Sequence, residues 1–147
     1  MIIAFDLDGT LANIEHRLHF IKGDDKPKDW RSFFAACVYD EPITTLLCLV
    51  RELATGNYIE VWSGRSDEIR PQTEFWLAQH GLKWAKGNRL RMRKSGDYRP
   101  DHVVKAEWLD AIDPPERPHL AFDDRQQVVD MWRSKGVLCC QVAPGDF

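Results

Sequence analysis

The chain has 147 residues, 44% of them apolar and 29% charged, with a formal net charge of -3 at pH 7. That length and composition suit one soluble globular domain with a single sizeable core, and the acidic balance excludes a protein that coats nucleic acid through a broad positive surface. The apolar start at residues 1–5 is closed by Asp6 and Asp8; it is far too short for a signal segment or a membrane span, so a cytoplasmic protein without membrane contact is expected. Cys37, Cys48, Cys139 and Cys140 form no CxxC pair and have no histidine at zinc-finger spacing, which predicts buried free thiols. The GxxxxGK[ST] pattern of a phosphate-cradling loop is absent from the sequence.

In chain order, Ile2-Ile3-Ala4-Phe5 reads as a strand buried on both faces. Residues 12–41 then form an insertion, expected to be a small cap, with a short helix around 29–38 and nothing that reads as a sheet strand. Pro42 suits the first turn of a helix whose apolar stripe is Ile43, Leu46, Leu47, Val50 and Leu53, with Gly56 as a stop. A strand follows at Tyr58-Ile59-Glu60-Val61-Trp62 and a helix over 69–80. Residues 83–99 carry Lys83, Lys86, Arg89, Arg91, Arg93, Lys94 and Arg99 against Asp97, a local basic patch in a net acidic chain. A helix over 101–112 is ended by Pro114-Pro115. A strand at 119–122, a helix at 126–135 and a last strand at 137–142 complete the series. This alternation predicts one α/β domain over residues 1–147, a Rossmann-like, mostly parallel sheet flanked by helices, with the cap at 12–41 inserted after the first strand.

Chemistry is expected where strands end, because ligands of open parallel sheets bind outside the strands' carboxyl ends. Asp6-Leu7-Asp8-Gly9-Thr10 follows the first strand, and Gly9 permits a turn that brings both carboxylates to one cavity. Two carboxylates so close repel unless a cation offsets them, and hard oxygen ligands that must also meet phosphate favour Mg²⁺. Ser63-Gly64-Arg65 follows the second strand with a hydroxyl and a guanidinium suited to a phosphate. Asp123-Asp124 ends the third and can complete the Mg²⁺ site. Lys105, one turn into a helix begun by Asp101, supplies a point charge that can neutralise Asp6 and a phosphoryl oxygen.

In chain order these features are DxDGT, Ser, Lys and DD, and the sequence resembles the haloacid dehalogenase superfamily of phosphohydrolases, whose four motifs run in that order. Ala121-Phe122-Asp123-Asp124-Arg125-Gln126-Gln127-Val128-Val129-Asp130-Met131-Trp132-Arg133, with Gly136-Val137 and the ending Gln141-Val142-Ala143-Pro144-Gly145-Asp146-Phe147, is similar to the carboxyl-terminal end of the 3′-phosphatase domain of bacteriophage polynucleotide kinase-phosphatases. So are Asp101-His102-Val103-Val104-Lys105 and Ser63-Gly64-Arg65. The resemblance implies that Asp6 is the nucleophile, Asp8 the general acid and base, and Asp123 and Asp124 metal residues, with Arg17, Arg65, Asp101 and Lys105 at further functional positions. Asp6 and Asp8 are expected to share the metal with Asp123 and Asp124; Thr10 is expected to fix Asp8 by a hydrogen bond, and Ser63 and Gly64 to hold phosphate. The chain differs from that family in lacking a kinase loop, so any kinase activity would come from a separate partner, and in a long aromatic segment over 16–37. If phage-encoded, the protein would work in the host cytoplasm.

The expected activity is thus a Mg²⁺-dependent phosphomonoesterase that forms an aspartyl-phosphate and removes 3′-phosphate from DNA or RNA ends. The alternative is a nucleotidase acting on free nucleoside monophosphates under the aromatic insertion. A receiver-like regulatory domain also clusters aspartates, Mg²⁺, a hydroxyl and a lysine, but its acidic pair would end the first strand and its phosphorylated Asp a later one, opposite to the order here. Trp30, Phe33, Phe34 and Tyr39 are candidates to stack a base, although the i, i+3, i+4 spacing of the first three favours packing of the insertion. His16 and His19 are expected in surface or capping roles, and the basic run in guiding a strand or as a solvated face.

Overall fold

The computed structural model describes residues 1–23 and 26–145; residues 24 and 25 of the insertion, and Asp146 and Phe147 at the end of the family resemblance, lie outside them. The strands are β1 (Ile2–Phe5), β2 (Ala12–Asn13), β3 (Glu41–Pro42), β4 (Tyr58–Ser66), β5 (Leu90–Arg93), β6 (Leu120–Asp123) and β7 (Leu138–Gln141). The helices are α1 (Trp30–Ala35), α2 (Thr44–Leu53), α3 (Arg70–Gln79), α4 (Asp101–Asp110) and α5 (Gln126–Ser134). Five strands form one sheet in the order β5-β4-β1-β6-β7, with every pairing parallel. The chain therefore leaves β1 in one direction for β4 and in the other for β6, which opens a crevice at the carboxyl end of β1.

Apolar runs along the strands bury both faces of this sheet. On one face Ile3, Phe5, Ile59 and Val61 pack with Leu47 and Val50 of α2 and with Trp76 and Leu77 of α3. On the other, Ala4, Trp62 and Ala121 pack with Leu109 of α4 and with Val128, Val129 and Trp132 of α5. Phe5 and Phe122 stack across β1 and β6 at a centroid distance of 4.4 Å, a contact that adds about 0.5–1.5 kcal/mol to the burial of the rings.

Several expectations change. The basic run contains β5, the fifth strand, because Leu90 and Met92 alternate with Arg91 and Arg93 and present a buried face every second residue. The insertion contains strands after all: β2 and β3 pair antiparallel and close its two ends together. Pro42 accordingly sits in β3, and α2 begins two residues later. The Ser-Gly-Arg segment, expected to follow the second strand, lies within β4, whose register against β5 shifts between Ser63 and Ser66. Of the four free thiols, Cys37 and Cys139 are buried, whereas Cys48 and Cys140 are exposed.

The segment between β2 and β3 runs through a 3-10 turn at Glu15–Phe20, then α1, then a 3-10 turn at Ala36–Tyr39. Asp29 caps α1 by accepting from the Ser32 main-chain N–H at 2.9 Å, the side-chain cap that Asp prefers. Ile14, Ile21 and Phe33 form a small core of their own, flanked by Leu18, Phe20 and Phe34. That core places Arg17 on the inner side of the insertion, over the end of β1.

Candidate active site

The loop after β1 curls around a single carbonyl. Leu7 O accepts from the main-chain N–H groups of Thr10, Leu11 and Ala12, and Gly9 makes the turn at φ +85°, a conformation costly for any residue with a side chain. A Cβ at Gly9 would also run into the Asp124 carboxylate. The bend turns Asp6 and Asp8 out of the strand into a cavity of about 780 Å³, whose walls include Gly64, Asp101, Arg125, Arg93, Lys94, Tyr98, Trp30 and Phe34.

Lys105, wholly buried on α4, is the hub of the deeper half. Its Nζ donates to Asp6 Oδ1 at 2.5 Å and to Asp123 Oδ2 at 2.9 Å, and pairs with Asp101 Oδ2 at 3.1 Å. Oxygens of Asp6, Asp123 and Asp124 lie within 4.8 Å of one another. Burial pushes the Asp6 carboxyl well above its ordinary range; Lys105 works against this, and Asp123, Asp124 and Asp101 add to it. Asp124 is raised to about 7 by burial and then by Asp123. Asp123 is raised by burial, with Lys105 opposing. Lys105 itself is raised well above its ordinary value because Asp101, Asp123 and Asp6 outweigh the opposing effect of its burial. Three converging carboxylates with one nearby ammonium are a hard-oxygen donor set with excess negative charge, and that chemistry fits a divalent cation such as Mg²⁺.

The outer half is a second charged group. Asp8 Oδ1 accepts from Arg17 Nη2 at 2.7 Å and from Arg65 Nε and Nη2 at 2.9 and 2.5 Å. Burial raises the Asp8 carboxyl, yet Arg65 and Arg17 overcome it and hold the group at about 2. Both guanidiniums also bond a residue that the sequence reading missed. Asp40 Oδ1 accepts from Arg17 Nε at 2.6 Å, and Asp40 Oδ2 from Arg17 Nη2 at 2.7 Å and Arg65 Nη2 at 2.6 Å. Nothing in the local sequence marks Asp40, which belongs to no motif and ends a 3-10 turn of the insertion; its proximity to Arg65 exists only once β2 and β3 pair.

The structure joins Asp6, Asp101, Lys105 and Asp123 in one ion-pair group with Asp124 beside it, and Asp8, Arg17 and Arg65 in a second; the contacts of Thr10, Ser63 and Asp8 differ from expectation. The Thr10 hydroxyl donates to Asp124 Oδ1 at 3.5 Å and so braces the acidic pair instead of Asp8. Ser63 is fully buried, its Oγ accepting from the Arg65 main-chain N–H at 3.3 Å. Gly64 lines the cavity and leaves room for Asp101, whose Oδ1 would stand 2.5 Å from a Cβ at that position. The Asp8 side chain, expected among the metal residues, is outside the trio of Asp6, Asp123 and Asp124, because its Oδ1 is held by the arginines.

The basic run divides. Arg93, Lys94 and Arg99 line the cavity, with Arg93 fastened to Gly64 O and to Asp101. Arg89 instead stacks over Tyr58 at 4.1 Å and Arg91 over Trp62 at 4.9 Å. Trp30, Phe33 and Phe34 pack on one another and also line the cavity; Tyr39 is exposed. His16 contacts Asp40 Oδ1 at 2.8 Å, and the His19 ring lies tilted against Phe20 at a centroid distance of 4.0 Å. Among the described residues no helix is long and apolar enough to cross a membrane.

Over residues 1–147 the sequence matches the family described as the polynucleotide kinase PNKP phosphatase domain. Two structures of a Pnkp1/Rnl/Hen1 complex, one of them described as an RNA repair complex, each contain a chain 30% identical to this one. The matches cover 99% of the present chain with TM-scores of 0.77 and 0.79, but only 43% and 47% of those chains, so this chain spans less than half their length. A haloacid dehalogenase-like hydrolase from Streptococcus pneumoniae, 15% identical, shares the fold with a TM-score of 0.59 over 95% of this chain and 83% of its own.

Proposed function

The chain belongs to the family of the polynucleotide kinase PNKP phosphatase domain, and from that membership we propose that it removes the 3′-phosphate from DNA or RNA ends as a step in end repair. The observation that carries this reading is the pair of charged centres at one cavity end, an acidic group on Lys105 and an arginine pair on Asp8. Phosphate monoesters resist attack because their dianion repels nucleophiles, so charge neutralisation and alignment are what an enzyme must supply.

In this reading the Asp6 carboxylate attacks phosphorus in line, forming an Asp6 oxygen–phosphorus bond as the bond to the 3′-oxygen breaks. Once the phosphate has taken its place on the arginines, Asp8 picks up a proton from solvent and hands it to the leaving 3′-oxygen; it later takes one from the water that attacks phosphorus and frees Asp6, one group serving both halves by reversal of role. Arg17, Arg65 and Lys105 hold phosphoryl oxygens. Ser63 and Gly64 shape the end of β4, and Asp101 orients Lys105. Asp6, Asp123 and Asp124 are the residues that would hold Mg²⁺, which when bound neutralises charge on the transferring group. The insertion acts as a cap whose aromatic side and the Lys94 side of the cavity receive the nucleic-acid strand. Any kinase step belongs to another segment or a separate partner, in the cytoplasm.

A second reading has its own observation. The aromatic helix α1 walls a cavity of about 780 Å³, within the usual range for small-molecule sites of ~300–1,000 Å³, so a free mononucleotide is the rival substrate. Phosphate release is measured from a 3′-phosphorylated oligonucleotide, a 5′-phosphorylated one, and free 3′- and 5′-mononucleotides at equal concentrations, with Mg²⁺ present or chelated. Preference for the 3′-phosphorylated oligomer, lost on chelation, is the expected result; preference for free mononucleotides moves the protein to nucleotide metabolism.

A further inference from the structure

Asp40 has no place in the chemistry above, yet it is among the most heavily engaged side chains of the molecule. Its carboxylate is fully buried, and both of its oxygens are occupied. Arg17 Nε and the His16 ring meet Oδ1, while Arg17 Nη2 and Arg65 Nη2 meet Oδ2. Its main-chain carbonyl accepts from Trp76 Nε1 on α3 at 2.8 Å. Arg17 is held further by the Phe33 carbonyl at 3.3 Å and lies over the Phe33 ring at 4.1 Å.

Asp8 meets the same two guanidiniums, sharing Arg17 Nη2 and Arg65 Nη2 with Asp40, in contrasting surroundings. It lines the cavity and is partly exposed, and one of its oxygens takes all three arginine N–H contacts. One small anionic oxygen facing the cavity and collecting N–H groups from two guanidiniums has the charge and size of a phosphoryl oxygen, and guanidinium forks suit both carboxylate and phosphate. Two carboxylates facing two guanidiniums leave the group neutral, so an entering dianion gains nothing from the arginines until one carboxylate gives way. Asp40 is anchored through both carboxylate oxygens and its main-chain carbonyl; Asp8 is bonded to the arginines through Oδ1 and borders the cavity.

We infer that Asp40 is a positioning residue that keeps Arg17 and Arg65 together as a fixed two-guanidinium cradle, while Asp8 occupies the cradle as a stand-in that the substrate's phosphoryl oxygen displaces. The exchange frees Asp8 for the leaving group and couples phosphate entry to the readiness of the acid-base residue. This rests on the phosphatase reading above, and it adds that the cradle survives the loss of Asp8 but not the loss of Asp40.

Two measurements test it. In the first, Asp40→Asn and Asp40→Glu are compared with the wild-type chain on a 3′-phosphorylated oligonucleotide, with inorganic phosphate as a competitive probe. The expected result is a rise in KM and in the phosphate inhibition constant of about ten- to hundredfold in Asp40→Asn, the scale set by small misplacements of substrate-holding groups, with part recovered in Asp40→Glu. Wild-type or lower constants in a folded Asp40→Asn overturn the inference, since they would mean that Asp40 only competes with the phosphate. The second needs neither turnover nor a folded Asp40→Asn: the side-chain ¹⁵N resonances of Arg17 and Arg65 are followed in Asp8→Asn. Persistent slow guanidinium rotation is expected there, and free rotation of both overturns the inference. Absence of phosphate release from every phosphorylated end by the wild-type chain would instead refute the functional reading, a result separate from either.

Discussion

Around Lys105, Asp6, Asp101 and Asp123 share one ammonium with Asp124 beside them, whereas around Arg17 and Arg65 two carboxylates face two guanidiniums. The first group is rich in negative charge, and burial drives its Asp6, Asp123 and Asp124 carboxyls upward. The second neutralises itself and holds Asp8 down at about 2. The contrast separates two tasks: a centre in surplus attracts a cation, and a centre in balance presents donors to an anion only by exchange. Asp6 of the first and Asp8 of the second flank Leu7 just past the carboxyl end of β1.

The sharpest way to break this division is Asp6→Asn. It removes the nucleophile and leaves the arginine centre untouched, so phosphate release is expected to fall by a factor on the order of 10⁴–10⁶, as when a covalent nucleophile is lost; a steady-state assay with retained activity would reject the assignment. Next in size is Lys105→Met. Removing one partner of a buried ion-pair group costs about 3–5 kcal/mol, and for a domain of this size that is a drop of roughly 10 °C in Tm. Thermal unfolding in chelator checks it, and an unchanged Tm would mean the carboxylates do not need the ammonium.

The fold was largely legible before the structure because its signals are local. Apolar runs gave β1, β4, β6 and β7, and the spacing of Leu46, Leu47, Val50 and Leu53 gave the helix α2 packed on them. The acidic centre was legible for the same reason: Asp6, Asp123 and Asp124 are read from strand ends, and a parallel sheet aligns those ends. β5 was hidden because its two apolar residues sit among arginines that suggest a solvated face. The arginine centre was only half legible, since Arg65 came with its motif and Arg17 only with the family resemblance, and Asp40 reaches them through the pairing of two two-residue strands. The Thr10 contact was assigned to Asp8 because sequence nearness favours it; the Gly9 turn carries the hydroxyl to Asp124 instead.

A third test sharpens the contrast through linkage. Ligand binding only to the folded state stabilises by about 2.7 kcal/mol at a hundred times its Kd, so Mg²⁺ is expected to raise Tm by several degrees. Asp123→Asn should abolish that rise, and Asp40→Asn should retain it. Differential scanning fluorimetry reads both, and equal loss in the two variants would merge the centres. A fourth test concerns the loop after β5, outside both centres. Arg99 bonds hold Asp97 at about 2, below an unfolded value of about 3.9. A depressed folded value means its contribution is complete above the unfolded pKa and is lost as pH falls through about 2. Asp97→Asn should therefore flatten a small part of the acid limb of stability below about pH 4, read by unfolding across pH, and an unchanged acid limb would reject this contribution.

The most direct measurement of the central claim is acid quench during turnover of excess 3′-phosphorylated oligonucleotide with Mg²⁺, followed by mass spectrometry of the peptide that carries Asp6 and Asp8. The account predicts one phosphoryl group on Asp6 in the wild-type chain and in Asp40→Asn, and none in Asp6→Asn. Phosphate release at full rate from Asp6→Asn, or a phosphoryl group on Asp8 instead, would contradict it.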